Sequence, residues 1–166
     1  MSKLVAAGTT IMDTHNPLLD SILSKKYEEA AQKGVTVYFD LCDLKEIPFD
    51  GMDMVIVLSN LLDNAMEAAS QAGVAEPTVN ISIIPRQEYL FIRVTNPVDK
   101  TLPEKRRMPL ETTKTNHTEL HGYGTRIIRR IAESYNGSVK YSMSGGIFTT
   151  DVMLEMPEEK SVEEEA

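Results

Sequence analysis

Asn60 and Asn64, four residues apart in LSNLLDNAMEAA (58–69), are the side chains whose type and spacing most directly invite chemistry. A spacing of i, i+4 puts both amides on one helix face, one turn apart. Asparagine is a mediocre helix former because its amide competes for nearby backbone groups. Buried without partners, each amide would cost about 1–3 kcal/mol. Either the pair is tied into a core network or something polar sits against that face. A second stretch, HGYGT (121–125), sets two glycines one residue apart directly ahead of a helical run, with Thr125 in its first turn. Glycine lets backbone amides approach a ligand closely, and the free N–H groups and dipole of a helix start favour an anion. An ordinary capped loop has the same form.

Other chemistries find no footing. There is no GxxxxGK[ST] phosphate loop and no HRD or DFG set. The three histidines and single cysteine lack metal-ligand spacing. His117 and His121 form an i, i+4 pair in HTELH without a third ligand, and no Ser-His-Asp arrangement is arguable from order alone. A net charge of −8 argues against a nucleic-acid or anionic-membrane surface. Cys42 alone fits a reducing compartment. No apolar run approaches the roughly 18 residues of a membrane span, and the N-terminus lacks a signal-peptide pattern. The expectation is a soluble, cytoplasmic domain of 166 residues, long enough for a substantial core.

The elements that must position these residues follow from periodicity. Residues 1–15 show no sustained period and read as a loose lead-in, with His15 in a loop or cap region. From Asn16, which suits an N-cap ahead of Pro17, the run to Gly34 reads as a helix with Leu18, Leu19, Ile22, Leu23 and Tyr27 as its stripe. VTVYFDL (35–41) reads as a strand, and Asp50–Ala72 as a long, well-buried helix ended by Gly73. Residues 78–84 and 88–96 form two strands. Residues 97–121 lack a clear period, which suggests a functional lid or a disordered loop. A helix ending at Gly137 and a hairpin turning at Gly145-Gly146 close the fold. This order predicts a two-layer α/β sandwich, a mixed sheet of about five strands with about three helices on one face. The domain is expected over 16–156, and the acidic residues 157–166 as a disordered tail.

Taken together, NLLDNA (60–65), a strand ending at Asn96, a Thr/Lys-bearing loop and HGYGTRIIRRIAESYNG resemble, in that order, the ATP-binding catalytic domain of sensor histidine kinases. That domain, of Bergerat-type fold, belongs to the wider GHKL superfamily that includes gyrase and the mismatch-repair ATPases. NPLLDSIL, NLLDNAMEAA with Glu67, and TTKTNHTELHGYGT look most like its peptide-pheromone receptor branch. The resemblance implies ATP and Mg²⁺ as ligands. It makes Asn64 the Mg²⁺ ligand, an amide oxygen that leaves the metal its waters and phosphate oxygens. Asn60 would orient water, phosphate or the phosphoacceptor. Asn96 stands where most members carry the aspartate that accepts a hydrogen bond from the adenine amino group, and an asparagine carbonyl can still accept that bond. The flanking residues are NPVDK, without the family's glycines, a departure that the pheromone-receptor branch shares. Gly122, Tyr123, Gly124, Thr125 and Arg126 would cradle phosphates, and Lys114 in the lid would reach them as a point charge. Lys105-Arg106-Arg107 reads as a solvated basic run or a partner-facing patch. Glu67 replaces a basic residue frequent in the wider family.

Such a domain donates phosphate to a histidine on a separate helical-hairpin dimerisation domain, and no such hairpin precedes residue 16. The chain is therefore expected to be a soluble monomeric piece of a membrane-anchored kinase, its partners the phosphoacceptor domain and, through it, a response regulator. Two alternatives remain: a stand-alone serine kinase or ATPase of the same superfamily, resembling anti-sigma factors, or a non-catalytic module with a decayed nucleotide pocket.

Overall fold

The structure, a computed structural model, describes residues 2–4, 12–101 and 119–158, with the backbone alone at 2–4 and 119–123. Six strands form one mixed sheet: β1 (Ser2–Leu4), β2 (Thr36–Leu41), β3 (Thr78–Arg86), β4 (Tyr89–Pro97), β5 (Ser138–Ser144) and β6 (Ile147–Glu155). Their order is β1-β2-β3-β4-β6-β5, with β2 and β3 parallel and the other neighbours antiparallel. Among the described residues three helices accompany them: α1 (Pro17–Gln32), α2 (Gly51–Ser70) and α3 (Glu119–Ser134). The two-layer sandwich is the one expected, with one addition. Part of the lead-in pairs with β2 as an edge strand, Lys3 opposite Asp40; three residues are too few for a period to register.

Alternation puts the core on one face of the sheet. Val37, Phe39 and Leu41 of β2 are buried and their alternates exposed. In register with them lie Val79, Ile81 and Ile83, then Leu90, Ile92 and Val94, then Val152 and Leu154. The helices cover this face with Leu19 and Leu23 of α1, Met54, Leu58, Leu62 and Met66 of α2, and Ile128 and Ala132 of α3. Each of these side chains larger than alanine contributes roughly 1.5–3 kcal/mol on burial. The other face is open, so Tyr38 and Phe91 stay exposed.

Caps and turns follow local chemistry. Asn16 Oδ1 accepts from the Leu19 amide at 3.2 Å, and Asp50 Oδ1 accepts from Met52 and Asp53. Gly145 and Gly146 both hold positive φ, 60° and 79°, as a two-residue hairpin turn requires. Leu18, expected on the buried stripe of α1, is 46% exposed. The stripe instead runs Leu19, Leu23, Lys26, Ala30, one ammonium among apolar residues. Burial pulls the pKa of Lys26 down, but hydrogen bonds and charge from Asp63 and Glu29 outweigh it and hold the group raised.

α2 and α3 run side by side, and their far ends are clasped by Tyr135. Its hydroxyl donates to Asp53 Oδ2 at 2.7 Å and accepts from the Asp50 amide at 3.1 Å, while its ring meets Phe49 edge-on at 4.9 Å. Tyr135→Phe keeps the ring and removes both bonds. We expect a loss of about 1 kcal/mol, which lowers Tm by about 3 °C in calorimetry. An unchanged Tm would mean that water replaces the clasp at no cost.

Candidate functional site

α2 carries the two asparagines on the side that faces α3. Asn60 Nδ2 donates to the Ile56 carbonyl one turn back, at 2.8 Å. That bond satisfies the donor end inside the helix and leaves the carbonyl oxygen facing Gly124 of α3. A Cβ built on Gly124 would stand 2.7 Å from Asn60 Oδ1, closer than two such atoms approach. Gly124 is buried, and a larger residue there would have to displace the Asn60 amide. Asn64, one turn on and half-buried, has no side-chain hydrogen bond among the described residues. The paired spacing thus resolves into two roles: one amide engaged in helix contact, the other free to accept a ligand.

The glycine pair differs from expectation. α3 begins at Glu119, so Gly122 and Gly124 lie inside its first two turns and not in a loop ahead of it. Two glycines cost roughly 1 kcal/mol each in a helix, too little to stop one whose tertiary contacts favour it. In helical geometry the first few N–H groups lack partners, whereas those of Gly124 and Thr125 fall within the hydrogen-bonded turns. The backbone of Tyr123 is helical too; Thr125 is half-buried and Arg126 exposed. Lys114, Lys105-Arg106-Arg107, His117 and residues 159–166 lie outside the described residues.

Asn96 comes from the sheet. It is 4% exposed and points toward the helices in phase with Ile92 and Val94. Its Nδ2 donates to the Pro97 carbonyl at 2.9 Å, and its Oδ1 has no partner among the described residues. The chain beyond needs no glycine: the Val98 amide bonds the Gly146 carbonyl at 3.0 Å, extending the β4–β6 ladder, and Val98 is buried. Asp99 Oδ1 then accepts from the Thr101 amide and hydroxyl.

Sequence reasoning missed Thr150 and Tyr141. Thr150 is buried on the inward face of β6, opposite Val94, and Phe148 on the same face opposes Asn96. Tyr141 of β5 pairs with Thr150 and stacks on Phe148 at 5.9 Å. Its buried hydroxyl lacks a hydrogen-bond partner among the described residues, and burial pushes its pKa up against the lowering pull of Arg129. The available signal was strand phase: in IFTTDVMLE, Thr150 is the polar residue in step with Phe148, Val152 and Leu154.

Among the described residues no cluster of three or more His, Cys, Asp or Glu side chains could hold a metal. A cation here would take the Asn64 oxygen and draw its other ligands from solvent and phosphate, which suits Mg²⁺. Two amide oxygens without partners among the described residues, Asn64 on α2 and Asn96 on β4, are thus available to a ligand.

The family model described as GHKL domain matches residues 49–155, which contain all of these side chains. The chain belongs to the GHKL domain family. It is 27% identical over 152 residues to a probable C4-dicarboxylate sensor kinase of Halalkalibacterium halodurans, covering 87% of this chain and 28% of that protein. It is 31% identical over 119 residues to the sensor protein kinase CarS of Pseudomonas aeruginosa, covering 69% and 25%. The chain thus spans about a quarter of the length of these curated relatives. Its fold matches the catalytic domain of histidine kinase ThkA at a TM-score of 0.66, with 16% identity, over 87% of this chain and 93% of that one. Histidine kinase AdeS of Acinetobacter baumannii matches at 0.60, with 17% identity, over 84% and 64%. In this GHKL domain no described helix is long and apolar enough to cross a membrane.

Proposed function

We propose that this GHKL domain binds ATP with Mg²⁺ and donates the γ-phosphate to a histidine on a separate phosphoacceptor domain of a two-component sensor kinase, which passes it to a response regulator. The observation that carries the reading is the unpartnered Asn64 amide, one turn from an Asn60 seated against Gly124. The sensor kinases among its relatives support the same reading. The parent protein would be membrane-anchored, with this domain on the cytoplasmic side.

In this reading the Asn96 oxygen accepts from the adenine amino group. The first turn of α3 offers amides to the phosphates, and Asn64 offers its oxygen to the bound cation. Lys114, from the segment between β4 and α3, adds a point charge, with Arg126 beside the glycines. Bound Mg²⁺ supplies charge neutralisation at the phosphates. Phosphoryl transfer asks chiefly for position and electrostatics, and Asn60, held by Ile56 and Gly124, gives that wall of the site a defined shape.

Asn96→Leu should abolish preference for adenine. GTP lacks the donor that Asn96 would accept, so the wild type favours ATP and the variant binds both alike, with about tenfold weaker ATP binding in competition titrations. Retained discrimination would move base recognition elsewhere.

The transfer itself is tested by supplying a sensor-kinase phosphoacceptor domain in trans with γ-labelled ATP. Acid-labile label on that domain's histidine is the expected result. Acid-stable label on a serine of a protein partner would favour the stand-alone kinase instead.

A further inference from the structure

The buried ammonium of Lys26 lies outside the site just described, yet it is tied to it. Its side chain is 10% exposed, and its Nζ stands 2.7 Å from Glu29 Oε2 on its own helix and 2.7 Å from Asp63 Oδ1 on α2. Asp63 is the residue immediately before Asn64. A groove of about 570 Å³ runs between α1 and α2 at this point, lined by Lys26, Glu29, Gln32, Lys33, Asp63 and Glu67. Glu67 thus shares the groove with Lys26 and Lys33 as well as with Glu29 and Asp63. The outer surface of α2 is divided: carboxylates of Asp63 and Glu67 line the α1 side, and Asn60 meets α3. Lys26 is the one buried charge among the described residues. A buried ion pair is weak evidence of stability, since desolvation offsets attraction, so its bond to the residue next to Asn64 calls for another account.

We propose that Lys26 is a positioning residue for the nucleotide site, fastening Asp63 to α1 and so fixing the α2 turn from which Asn64 reaches its ligand. The inference rests on Asn64 holding Mg²⁺, as proposed above. Without the tie, α2 keeps its fold through its apolar face, but the turn at 63–64 loses its lateral anchor. Outer partners that hold a metal ligand in place typically influence metal affinity by about 10–100-fold.

The test compares ATP dissociation constants measured by calorimetry with EDTA and with Mg²⁺, and takes their ratio. A general structural role weakens binding equally in both conditions and leaves the ratio unchanged. Positioning of Asn64 acts on the Mg²⁺ condition alone. Lys26→Met should lower the ratio about tenfold, whereas Lys26→Arg, which keeps both ion pairs, should retain most of it. Should Lys26→Met not fold, Asp63→Ala removes the acceptor on α2 and leaves the bond to Glu29, and should show the same drop. A wild-type ratio in a folded Lys26→Met or Asp63→Ala protein overturns the inference and leaves the site intact. A ratio of one in the wild type itself overturns the Asn64 assignment, and the inference with it.

Discussion

Asn64→Ala is expected to leave the fold intact and to weaken ATP binding about 10- to 100-fold when Mg²⁺ is present, with little change in EDTA. The size follows from one oxygen facing a charged partner, roughly 1.5–3 kcal/mol, at a tenfold change per 1.4 kcal/mol. The fold should survive because Asn64 is half-buried and has no hydrogen bond to lose among the described residues. Alanine is also the better helix former, by up to about 0.7 kcal/mol. Thermal denaturation should therefore show equal or higher Tm beside the weaker binding. Equal affinity of variant and wild type with Mg²⁺ would reject the ligand role.

Gly124→Val sets two effects against each other. Valine gains a few tenths of a kcal/mol in helix propensity over glycine. Against that stands a Cβ at 2.7 Å from Asn60 Oδ1, with a second branch besides. The amide can swing aside only by giving up its bond to the Ile56 carbonyl, which costs about 1 kcal/mol. Overpacking of this kind costs about 1–3 kcal/mol, so the clash wins. Tm should fall by about 2–10 °C for a domain of this size, and ATP affinity should fall at least about tenfold as α2 and α3 part. Asn60→Ala in the same chain removes the obstacle and should recover most of the lost Tm, a coupling that double-mutant analysis reads directly. A Gly124→Val protein with unchanged Tm and ATP affinity would mean that the helices do not meet there and that the phosphates lie elsewhere.

The sheet and its helices were legible because their signals are local. VTVYFDL alternates, Asn16-Pro17 announces a helix start, and Gly145-Gly146 fits a turn that demands two positive φ values. What escaped depends on partners distant in sequence. HGYGT looks like a helix start, but the helix begins at Glu119, because contacts with α2 outweigh the small cost of two glycines. Gly124 could be assigned to a phosphate cradle from sequence, whereas its visible work is to admit Asn60, a residue in another helix. Lys26 in SKKYEE reads as a solvated helix charge, and its partner Asp63 lies 37 positions away. One local sign was there: Lys26 falls in step with Leu19, Leu23 and Ala30. The NPVDK stretch was the uncertain point of the nucleotide reading, lacking glycines after Asn96. The Val98 bond to Gly146 shows how the strand continues without them and leaves Asn96 facing inward.

The central claim, Mg²⁺-dependent nucleotide binding, is met most directly by calorimetric titration of the unaltered chain with ATP and ADP, each with and without Mg²⁺. The account predicts that both nucleotides bind and that Mg²⁺ tightens ATP. Absence of binding by either nucleotide at millimolar concentration, in protein whose circular dichroism and cooperative melting show it folded, would contradict it and favour a protein-contact module on the same fold.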